Sequence, residues 1–229
     1  MENKKKVLVT AGATMVPIDQ VRGVTNIFKG RTGAMIAEWF YSQGYDVTLV
    51  TSNSDLVEKY REAYVESGGW TRGFKPWFVR TFKTFDDLTG GYDLIIHSAA
   101  VSDYKVSRVL IGEAESGLIP IDSTAKISSS HSKVYLEMTP TIKLIDQFRK
   151  WGFKGMLVKF KLQVGLTDTE LLEIAQRSLQ ESDADLIVAN CLEWSKERAY
   201  VVSRFGKTRS VERYSIASSI DNFFKRREL

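Results

Sequence analysis

Segments with strand-like and helix-like patterns alternate along most of the chain. Residues 6–10 form a short apolar run, residues 33–43 place apolar side chains at helical spacing, and residues 46–51 are rich in β-branched residues. Further strands are predicted at 77–82 and at 92–98, where an unbroken apolar run is typical of a central strand in a parallel sheet. The alternation predicts an α/β fold with a Rossmann-like, doubly wound and mostly parallel sheet.

The middle of the chain breaks this regularity. Residues 103–133 lose their periodicity and are predicted to form an irregular insertion, which inside a compact domain is typical of a functional lid. Regular segments then resume, and they are a strand at 134–138, a helix at 142–151, a strand at 156–162, an amphipathic helix at 168–181 and a strand at 184–190.

The C-terminal segment has a different character. Gly206 separates apolar runs at 199–205 and 210–214, which predicts a small β-hairpin, and a final helix is expected to follow it. We expect residues 1–229 to form one domain, in which the hairpin and the final helix occupy about 195–229.

Composition and charge narrow the function classes. The chain has 229 residues, 43% of them hydrophobic, and a formal net charge of +4 that is spread along its length. Basic residues spread in this way indicate a preference for anionic small molecules rather than for nucleic acid. The longest apolar runs are too short to cross a membrane, and the N-terminus lacks a signal-peptide pattern. We therefore expect neither a membrane nor a nucleic-acid partner.

The cysteine and histidine content limits redox and metal chemistry. Cys191 is the one cysteine of the sequence, so no internal disulfide can form, and a reducing cytoplasm is the expected compartment. Together with only two histidines it cannot build a zinc site of the usual kind. A hard cation such as Mg²⁺ can still be brought by a phosphate ligand.

The first predicted strand runs into a Thr-Ala-Gly turn ending at Gly12, as in many nucleotide-binding folds. The dinucleotide motif G-x-G-x-x-G does not follow that strand, and the second strand ends in Thr-Ser-Asn, without an acidic residue for the ribose. The Tyr-x-x-x-Lys pair of short-chain dehydrogenases is also missing from the sequence. These absences disfavour an NAD(P) oxidoreductase, which is kept as the alternative enzyme class.

A loop before the first helix suits an anionic ligand. It carries Asn26, Lys29 and Arg31, and the two cations would reinforce the positive end of a helix that begins near Gly30. The alternative interpretation is a surface loop that happens to be basic.

A second cluster follows the strand at 92–98. Ligands in open α/β sheets bind outside the carboxyl ends of the strands. The small residues Ser98 and Ala99 would let a flat ligand approach the backbone there, and Asp103 could hydrogen-bond a base or a ribose. Alternatively, Asp103 caps the turn that follows.

Two more candidates lie further along the chain. Lys126, in the irregular segment, could close over phosphates from a lid, or be an ordinary surface lysine. Near the end of the strand at 156–162, Phe160 could stack on a base and Lys161 could face phosphate. The alternative for this pair is a strand edge of alternating polarity.

Short motifs along the chain form a specific ordered set, although each one alone is weak. The set comprises VTAGAT, PIDQVR, a TN pair followed by Gly30 and Gly33, AAVSDY, KISS, FKL and ADLIVAN. In this order the motifs resemble those of the phosphopantothenate–cysteine ligases (phosphopantothenoylcysteine synthetases) of coenzyme A synthesis. The likeness covers residues 6 to about 190. The chain is expected to be the stand-alone form, without the flavin-dependent decarboxylase to which the ligase is often fused.

The resemblance implies a two-step ligation. CTP or ATP activates the carboxylate of 4′-phosphopantothenate as an acyl-nucleotidylate with release of pyrophosphate, and the amine of cysteine then displaces the nucleoside monophosphate. Asn26 is implied to act on the acyl intermediate, and Lys126 to be a catalytic lid lysine. With the clusters above, the expected substrate phosphate or carboxylate contacts are Asn26, Lys29 and Arg31, and the expected nucleotide site is Gly12, Gly30, Gly33, Ser98, Ala99, Asp103, Lys126, Phe160 and Lys161.

The sequence departs from the family pattern at two places. Residues 27–29, Ile-Phe-Lys, replace a hydroxyl-rich stretch before Gly30, and Lys29 is expected to substitute electrostatically. Gln163 stands where the ATP-using eukaryotic branch carries glutamate. Because the chain resembles the prokaryotic enzymes, CTP is expected over ATP, with Mg²⁺ bound through its phosphates. The family further implies a cytoplasmic homodimer. Because of the changed loop, a non-catalytic nucleotide-binding homologue is kept as a further alternative.

Overall fold

A central eight-stranded sheet organises the protein. The computed structural model describes residues 4–59, 74–78, 91–113 and 117–227. The strands are, in chain order, β1 (Lys6–Ala11), β2 (Met15–Pro17), β3 (Gly23–Thr25), β4 (Asp46–Thr51), β5 (Phe74–Phe78), β6 (Leu94–His97), β7 (Tyr104–Glu113), β8 (Gly117–Ile121), β9 (Val134–Pro140), β10 (Met156–Gln163), β11 (Leu186–Cys191), β12 (Arg198–Ser203) and β13 (Thr208–Glu212). The longer described helices are α1 (Arg31–Ser42), α2 (Asp168–Ser182) and α3 (Ile216–Arg227). Residues 54–59 are also helical, and short 3₁₀ helices lie at Leu144–Asp146 and Arg213–Ser215.

The strand order of the large sheet is β13-β12-β11-β10-β6-β1-β4-β5. The six strands from β11 to β5 pair in parallel, and β12 and β13 extend the β11 edge in antiparallel fashion. From β1 the chain proceeds outward to β4 and β5, whereas from β6 it proceeds in the opposite direction to β10 and β11. The order therefore reverses between β1 and β6. In doubly wound sheets, the crevice at such a switch point is where ligands bind.

Helices cover both faces of this sheet. Alternate residues of the central strands point to opposite sides, because successive side chains of a strand alternate. One face packs against α1 and α3 in a cluster that includes Phe40, Ile220 and Phe224. The other face packs against α2 and the turn that carries Phe148. The predicted α/β class, with its mostly parallel and doubly wound sheet, is confirmed.

Local sequence explains where the two helices nearest the site begin. Thr167 and Glu170 form a reciprocal capping box at the start of α2. The N-cap of α1 is Gly30, in the left-handed region with a φ of 75°, and no side chain caps this end. The first turn of α1 contains no acidic residue. Its N-terminal backbone N–H groups and positive dipole end are thus uncompensated by a local carboxylate.

The prediction of an irregular segment at 103–133 is wrong for its first part. Tyr104–Glu113 and Gly117–Ile121 form β7 and β8, which join β9 in a separate antiparallel sheet of order β8-β7-β9. Much of β7 and nearly all of β8 is exposed or half-buried, so neither strand carries the apolar alternation by which a strand is recognised. The predicted strand at 134–138 is confirmed as β9.

Three other expectations need adjustment. The helix predicted at 142–151 is wrong, since this stretch has a 3₁₀ helix at Leu144–Asp146 followed by turns. The predicted C-terminal hairpin is confirmed as β12 and β13, but it belongs to the main sheet because β12 pairs with β11. The strand expected at 77–82 is observed at Phe74–Phe78, and residues 79–82 lie outside the described ranges.

Candidate active site

The loops that follow β1 and β6 are joined at the switch point of the sheet. Ser98 donates its backbone N–H to the Thr10 carbonyl at 3.1 Å, and Ala100 donates to the Gly12 carbonyl at 2.8 Å. The Ser98 hydroxyl also donates to the Thr10 carbonyl, at 2.7 Å. The predicted residues Gly12, Ser98 and Ala99 are therefore brought together at the carboxyl edge of the sheet.

Three glycines let the start of α1 approach this junction closely. A Cβ on Gly30 would lie 2.3 Å from the Gly12 nitrogen, and a Cβ on Gly33 would lie 2.4 Å from the Ser98 Oγ. Gly12 itself has a φ of 85°, and its Cβ would meet the Ser52 hydroxyl at 2.6 Å. Side chains at these positions would push the helix end away from the β1 loop. The glycines thus bring the positive end of α1 to the switch point.

Asn26 lies at the mouth of the same crevice. Its Nδ2 donates to the Ala100 carbonyl at 3.1 Å, while the side chain as a whole stays exposed. The Lys29 carbonyl accepts a bond from Asn53 Nδ2 at 2.9 Å, which fixes the loop before α1. The side chains of Lys29 and Arg31 are exposed. The structure thus places these three predicted residues around the N-terminus of α1.

The segment that carries Lys126 is tied to the turn between β2 and β3. The side chain of Asp19 is buried, accepts from the Ile127 N–H at 3.1 Å, and pairs with Arg22. Arg22 in turn donates to the Ile127 carbonyl at 2.7 Å. The Arg22 guanidinium and these N–H bonds hold the pKa of the Asp19 carboxyl far below its usual range. Lys126 is exposed beside this anchored residue.

Phe160 and Lys161 point to opposite faces of β10. Phe160 is half-buried on the face that packs against α1 and α3. Because Lys159 pairs with His97, the next residue of β10, Phe160, is level with Ser98. Lys161 shares its face with Lys159, whose side chain reaches α2. The structure therefore does not put the two predicted residues on one side of a ligand.

Asp103 is exposed just before β7, where its carbonyl accepts from the Thr141 N–H at 2.8 Å.

Arg213 is a cation at this site that sequence reasoning missed. It begins the 3₁₀ turn before α3 and donates from Nη2 to the Thr32 hydroxyl in the first turn of α1, at 3.0 Å. Within the described residues no carboxylate forms an ion pair with it. No pattern near residue 213 signals this role, because Thr32 is 181 residues away along the chain.

Two buried polar side chains lie on the α2 side of the junction, and sequence reasoning identified only His97 as a core residue. His97, whose apolar strand context indicates a core residue, bonds through Nδ1 to the Thr10 hydroxyl at 2.8 Å. Burial and then the nearby charge of Lys159 lower the pKa of His97 from 6.5 to about 4. Lys159 is itself buried, and its ammonium donates to the Ser178 carbonyl and the Ser182 hydroxyl, each at 2.9 Å.

Away from this junction, the described residues include a cavity but no metal-binding cluster. Within the described residues no group of three or more His, Cys, Asp or Glu side chains is arranged to hold a metal ion. Among those residues, too, no helix is both long enough and apolar enough to cross a membrane. A cavity of about 430 Å³ lies at the opposite edge of the sheet, between the end of α2 and the β12–β13 turn, and none of the predicted site residues line it.

Comparison with known sequences identifies relatives over most of the chain. The coenzyme A biosynthesis bifunctional protein CoaBC of Thermococcus kodakarensis is 34% identical over 194 residues, which cover 82% of this chain and 41% of that protein. The phosphopantothenate–cysteine ligase of Homo sapiens is 25% identical over 251 residues, which cover 91% of this chain and 79% of that protein. The chain thus spans about two fifths of the length of the bifunctional relative.

Solved structures share the fold, and the family assignment follows from the sequence. A DNA/pantothenate metabolism flavoprotein from Streptococcus pneumoniae superposes with a TM-score of 0.77 at 27% identity, covering 99% of this chain and 100% of that one. A Cab2 mutant in complex with phosphopantothenate-cysteine has a TM-score of 0.74 at 17% identity, covering 97% and 87% of the two chains, which shows a common fold. Residues 2–215 match the family model of the DNA/pantothenate metabolism flavoprotein C-terminal domain, and the chain therefore belongs to this family.

Proposed function

We propose that this chain is a phosphopantothenate–cysteine ligase that joins 4′-phosphopantothenate to cysteine through an acyl-nucleotidylate. The observation that carries the proposal is the position of Asn26, whose amide is fixed on the Ala100 carbonyl where the ends of β1, β6 and α1 meet. Family membership and the names of the relatives support the same reaction.

The first step requires a site for a polyanion beside a carboxylate. The uncapped N-terminus of α1 offers backbone N–H groups, and the nearby cations are Lys29, Arg31 and Arg213. Fixed donors and cations of this kind stabilise the charge that develops on the transferred phosphoryl group and on the departing pyrophosphate. Lys126 is proposed to bind the same phosphates from the segment anchored by Asp19. Mg²⁺ would be held by the nucleotide's phosphate oxygens, with the protein orienting the nucleotide.

The second step requires a donor to the acyl oxygen. An Asn side chain carries two amide protons, and the bond to Ala100 uses one of them. The other proton can stabilise the oxyanion that forms when the amine of cysteine attacks the acyl-nucleotidylate. We propose CTP over ATP as the co-substrate, because the motifs of the chain resemble those of the prokaryotic ligases. The whole chain is proposed to act as a single ligase domain and as a cytoplasmic homodimer.

Pyrophosphate release is the direct test of this function. Purified protein with 4′-phosphopantothenate, cysteine and CTP is expected to release pyrophosphate and form an amide, with slower turnover when ATP replaces CTP. Asn26→Asp should still release pyrophosphate but accumulate the acyl-nucleotidylate, since a carboxylate cannot donate to the oxyanion. Asn222→Asp, an exposed change on α3, is the matched control and should turn over normally. Absence of pyrophosphate release with both nucleotides would refute the ligase assignment.

A further inference from the structure

A chain of polar contacts runs beneath the switch point, on the α2 side of the sheet. The Ala99 N–H donates to Thr10 Oγ1 at 3.4 Å, and Thr10 Oγ1 is 2.8 Å from His97 Nδ1. Thr10 is fully buried and His97 nearly so. The sheet register fixes the arrangement, because Thr10 pairs with His97 across β1 and β6, and His97 pairs with Lys159 across β6 and β10. Three adjacent strands thus connect a buried lysine to the Ala99 turn.

The hydrogen-bonding capacity of these groups selects one arrangement. A threonine hydroxyl has one proton to donate and two lone pairs that accept. The Thr10 hydroxyl accepts one bond from the Ala99 N–H. If it also donates its own proton to His97 Nδ1, it both donates and accepts a hydrogen bond. This arrangement requires a neutral His97 with its proton on Nε2. A protonated ring would present an N–H to Thr10 and force the hydroxyl proton to turn away, at a position that is closed to solvent.

Burial disfavours the charged form of His97 most, and the charge of Lys159 adds to this effect. The Lys159 ammonium lies on the same face of the sheet as His97, fixed to α2 through the Ser178 carbonyl and the Ser182 hydroxyl. The uncharged aromatic ring of Phe148 packs edge-on against His97, with the ring centroids 5.5 Å apart. The other charged groups that act on Lys159 are Asp146 and Lys143 from the 3₁₀ turn, Lys161 from β10 and Glu181 from α2. A second positive charge on His97 would be opposed directly by Lys159.

We propose that Thr10, His97 and Lys159 form a positioning relay that holds the Ala99 turn in its nucleotide-binding geometry. This inference rests on the proposed nucleotide site at the β1–β6 junction. Thr10 fixes the Ala99 amide, His97 orients the Thr10 hydroxyl by accepting its proton, and the Lys159 charge adds to burial in opposing protonation of His97. None of the three touches the ligand. Their expected effect is to keep nucleotide affinity constant at mildly acidic pH.

Imidazole NMR on the full-length chain tests the relay without reference to activity. The sequence contains two histidines, so His131→Gln assigns the signals. In the wild-type protein the ¹⁵N shifts are expected to show His97 with its proton on Nε2 and to remain unchanged down to about pH 5. Lys159→Met is expected to raise the midpoint of the His97 titration by about one pH unit. Ser182→Ala, which removes a partner of Lys159 but not its charge, should leave that midpoint nearly unchanged.

A proton on Nδ1 of the neutral ring, or a wild-type midpoint near 6.5, would overturn the relay. Because this measurement uses wild-type protein, its outcome does not depend on whether Lys159→Met folds. Binding of CTP and of ATP between pH 7 and pH 4.5 tests the functional link. Lys159→Met should lose affinity by roughly fourfold over this range, because its His97 is then mostly protonated, while wild type and Ser182→Ala should lose much less. Equal loss in all three would overturn the link, whereas wild-type protein that binds neither nucleotide would overturn the proposed function itself.

Discussion

At the scale of single residues, the site requires glycine at position 30, where any side chain would collide with the β1 loop. Its φ of 75° is unfavourable for other residues, and a Cβ would lie 2.3 Å from the Gly12 nitrogen and 2.8 Å from the Gly12 Cα. Gly44 has a similar φ of 88°, but a Cβ there would meet nothing within 4 Å. The two positions therefore separate backbone strain from steric overlap with the β1 loop.

Alanine at these two glycines should have different consequences. Gly44→Ala is expected to lower the free energy of unfolding by about 1–2 kcal/mol, the usual cost of a left-handed alanine, and to leave ligase activity unchanged. Gly30→Ala is expected to destabilise the protein more and to lower nucleotide activation by at least roughly tenfold, because α1 must move away from Gly12. Urea unfolding and pyrophosphate release measure the two effects. Equal activity in both variants would contradict the steric argument.

The buried His97 makes folding stability depend on pH. Its pKa is lowered from 6.5 to about 4, so between these values the unfolded chain binds a proton that the folded chain does not. Stability therefore rises with pH across this window and is lost as the pH falls. The contribution is on the order of 3 kcal/mol in the free energy of unfolding. Urea unfolding at a series of pH values should show a shallower dependence in His97→Asn than in wild type.

His131→Gln is the control for this pH dependence. The lowered pKa is that of His97, which is buried and bonded to Thr10, so His131→Gln should retain the wild-type slope. An unchanged slope in His97→Asn would show that another group is responsible for the loss of stability in acid.

At the scale of elements, two helix starts meet at the proposed anion site. The 3₁₀ turn that leads into α3 places Arg213 on the Thr32 hydroxyl of α1. Arg213→Met should raise the nucleotide KM by roughly tenfold with little change in the free energy of unfolding, because a charge-assisted contact to phosphate is lost while the aliphatic part is retained. Arg209→Met, an exposed change on β13, should leave KM unchanged. If the nucleotide KM values of the two variants are equal, Arg213 does not contact the nucleotide.

Elements with a buried face were predictable from sequence, and elements without one were not. The parallel strands near the site are rich in apolar and β-branched residues because both of their faces are covered, and their predicted bounds agree with the observed ones to within a few residues. β7 and β8 were missed because little of either is buried. The helix predicted at 142–151 fails because its apolar residues, including the buried Phe148, pack from turns rather than from one helical face.

The residues of the candidate site also differ in whether the sequence could predict them. Gly12, Ser98 and Ala99 follow apolar strands directly, so the rule that ligands bind at the carboxyl ends of strands was sufficient to place them together. No sequence pattern could identify Arg213, because its contact with Thr32 joins distant parts of the chain. For His97 the apolar run indicates only burial, and the sheet register is needed to show that it lies between Thr10 and Lys159.

At the scale of the whole molecule, the small sheet offers a surface for self-association. Ile119, Ile111 and Val134 lie side by side across β8, β7 and β9. The side chain of Ile119 is 65% exposed and that of Val134 44%. An exposed apolar row of this kind is typical of an interface. The proposed homodimer is therefore expected to use this row, which belongs to a sheet separate from the main one.

A lysine placed in this apolar row tests the assembly. Ile119→Lys is expected to shift the protein from dimer to monomer in sedimentation velocity, because an ammonium would have to be buried in the interface. Phe205→Lys alters a residue that is 84% exposed in the turn between β12 and β13, and should leave the dimer intact. Dissociation by Phe205→Lys but not by Ile119→Lys would place the interface at the β12–β13 end of the main sheet.

The bond between Arg213 and Thr32 also has a consequence for how the protein is made. During synthesis β1, α1 and the glycine loop leave the ribosome before β12, β13 and α3. Until residues 198–227 have been released, β11 has a free edge and α1 lacks both its packing partner α3 and the guanidinium at its N-terminus. Domains generally fold as units as the chain emerges. A nascent chain stalled before residue 213 should therefore lack a competent form of the proposed nucleotide site, so that nucleotide binding requires synthesis of this segment.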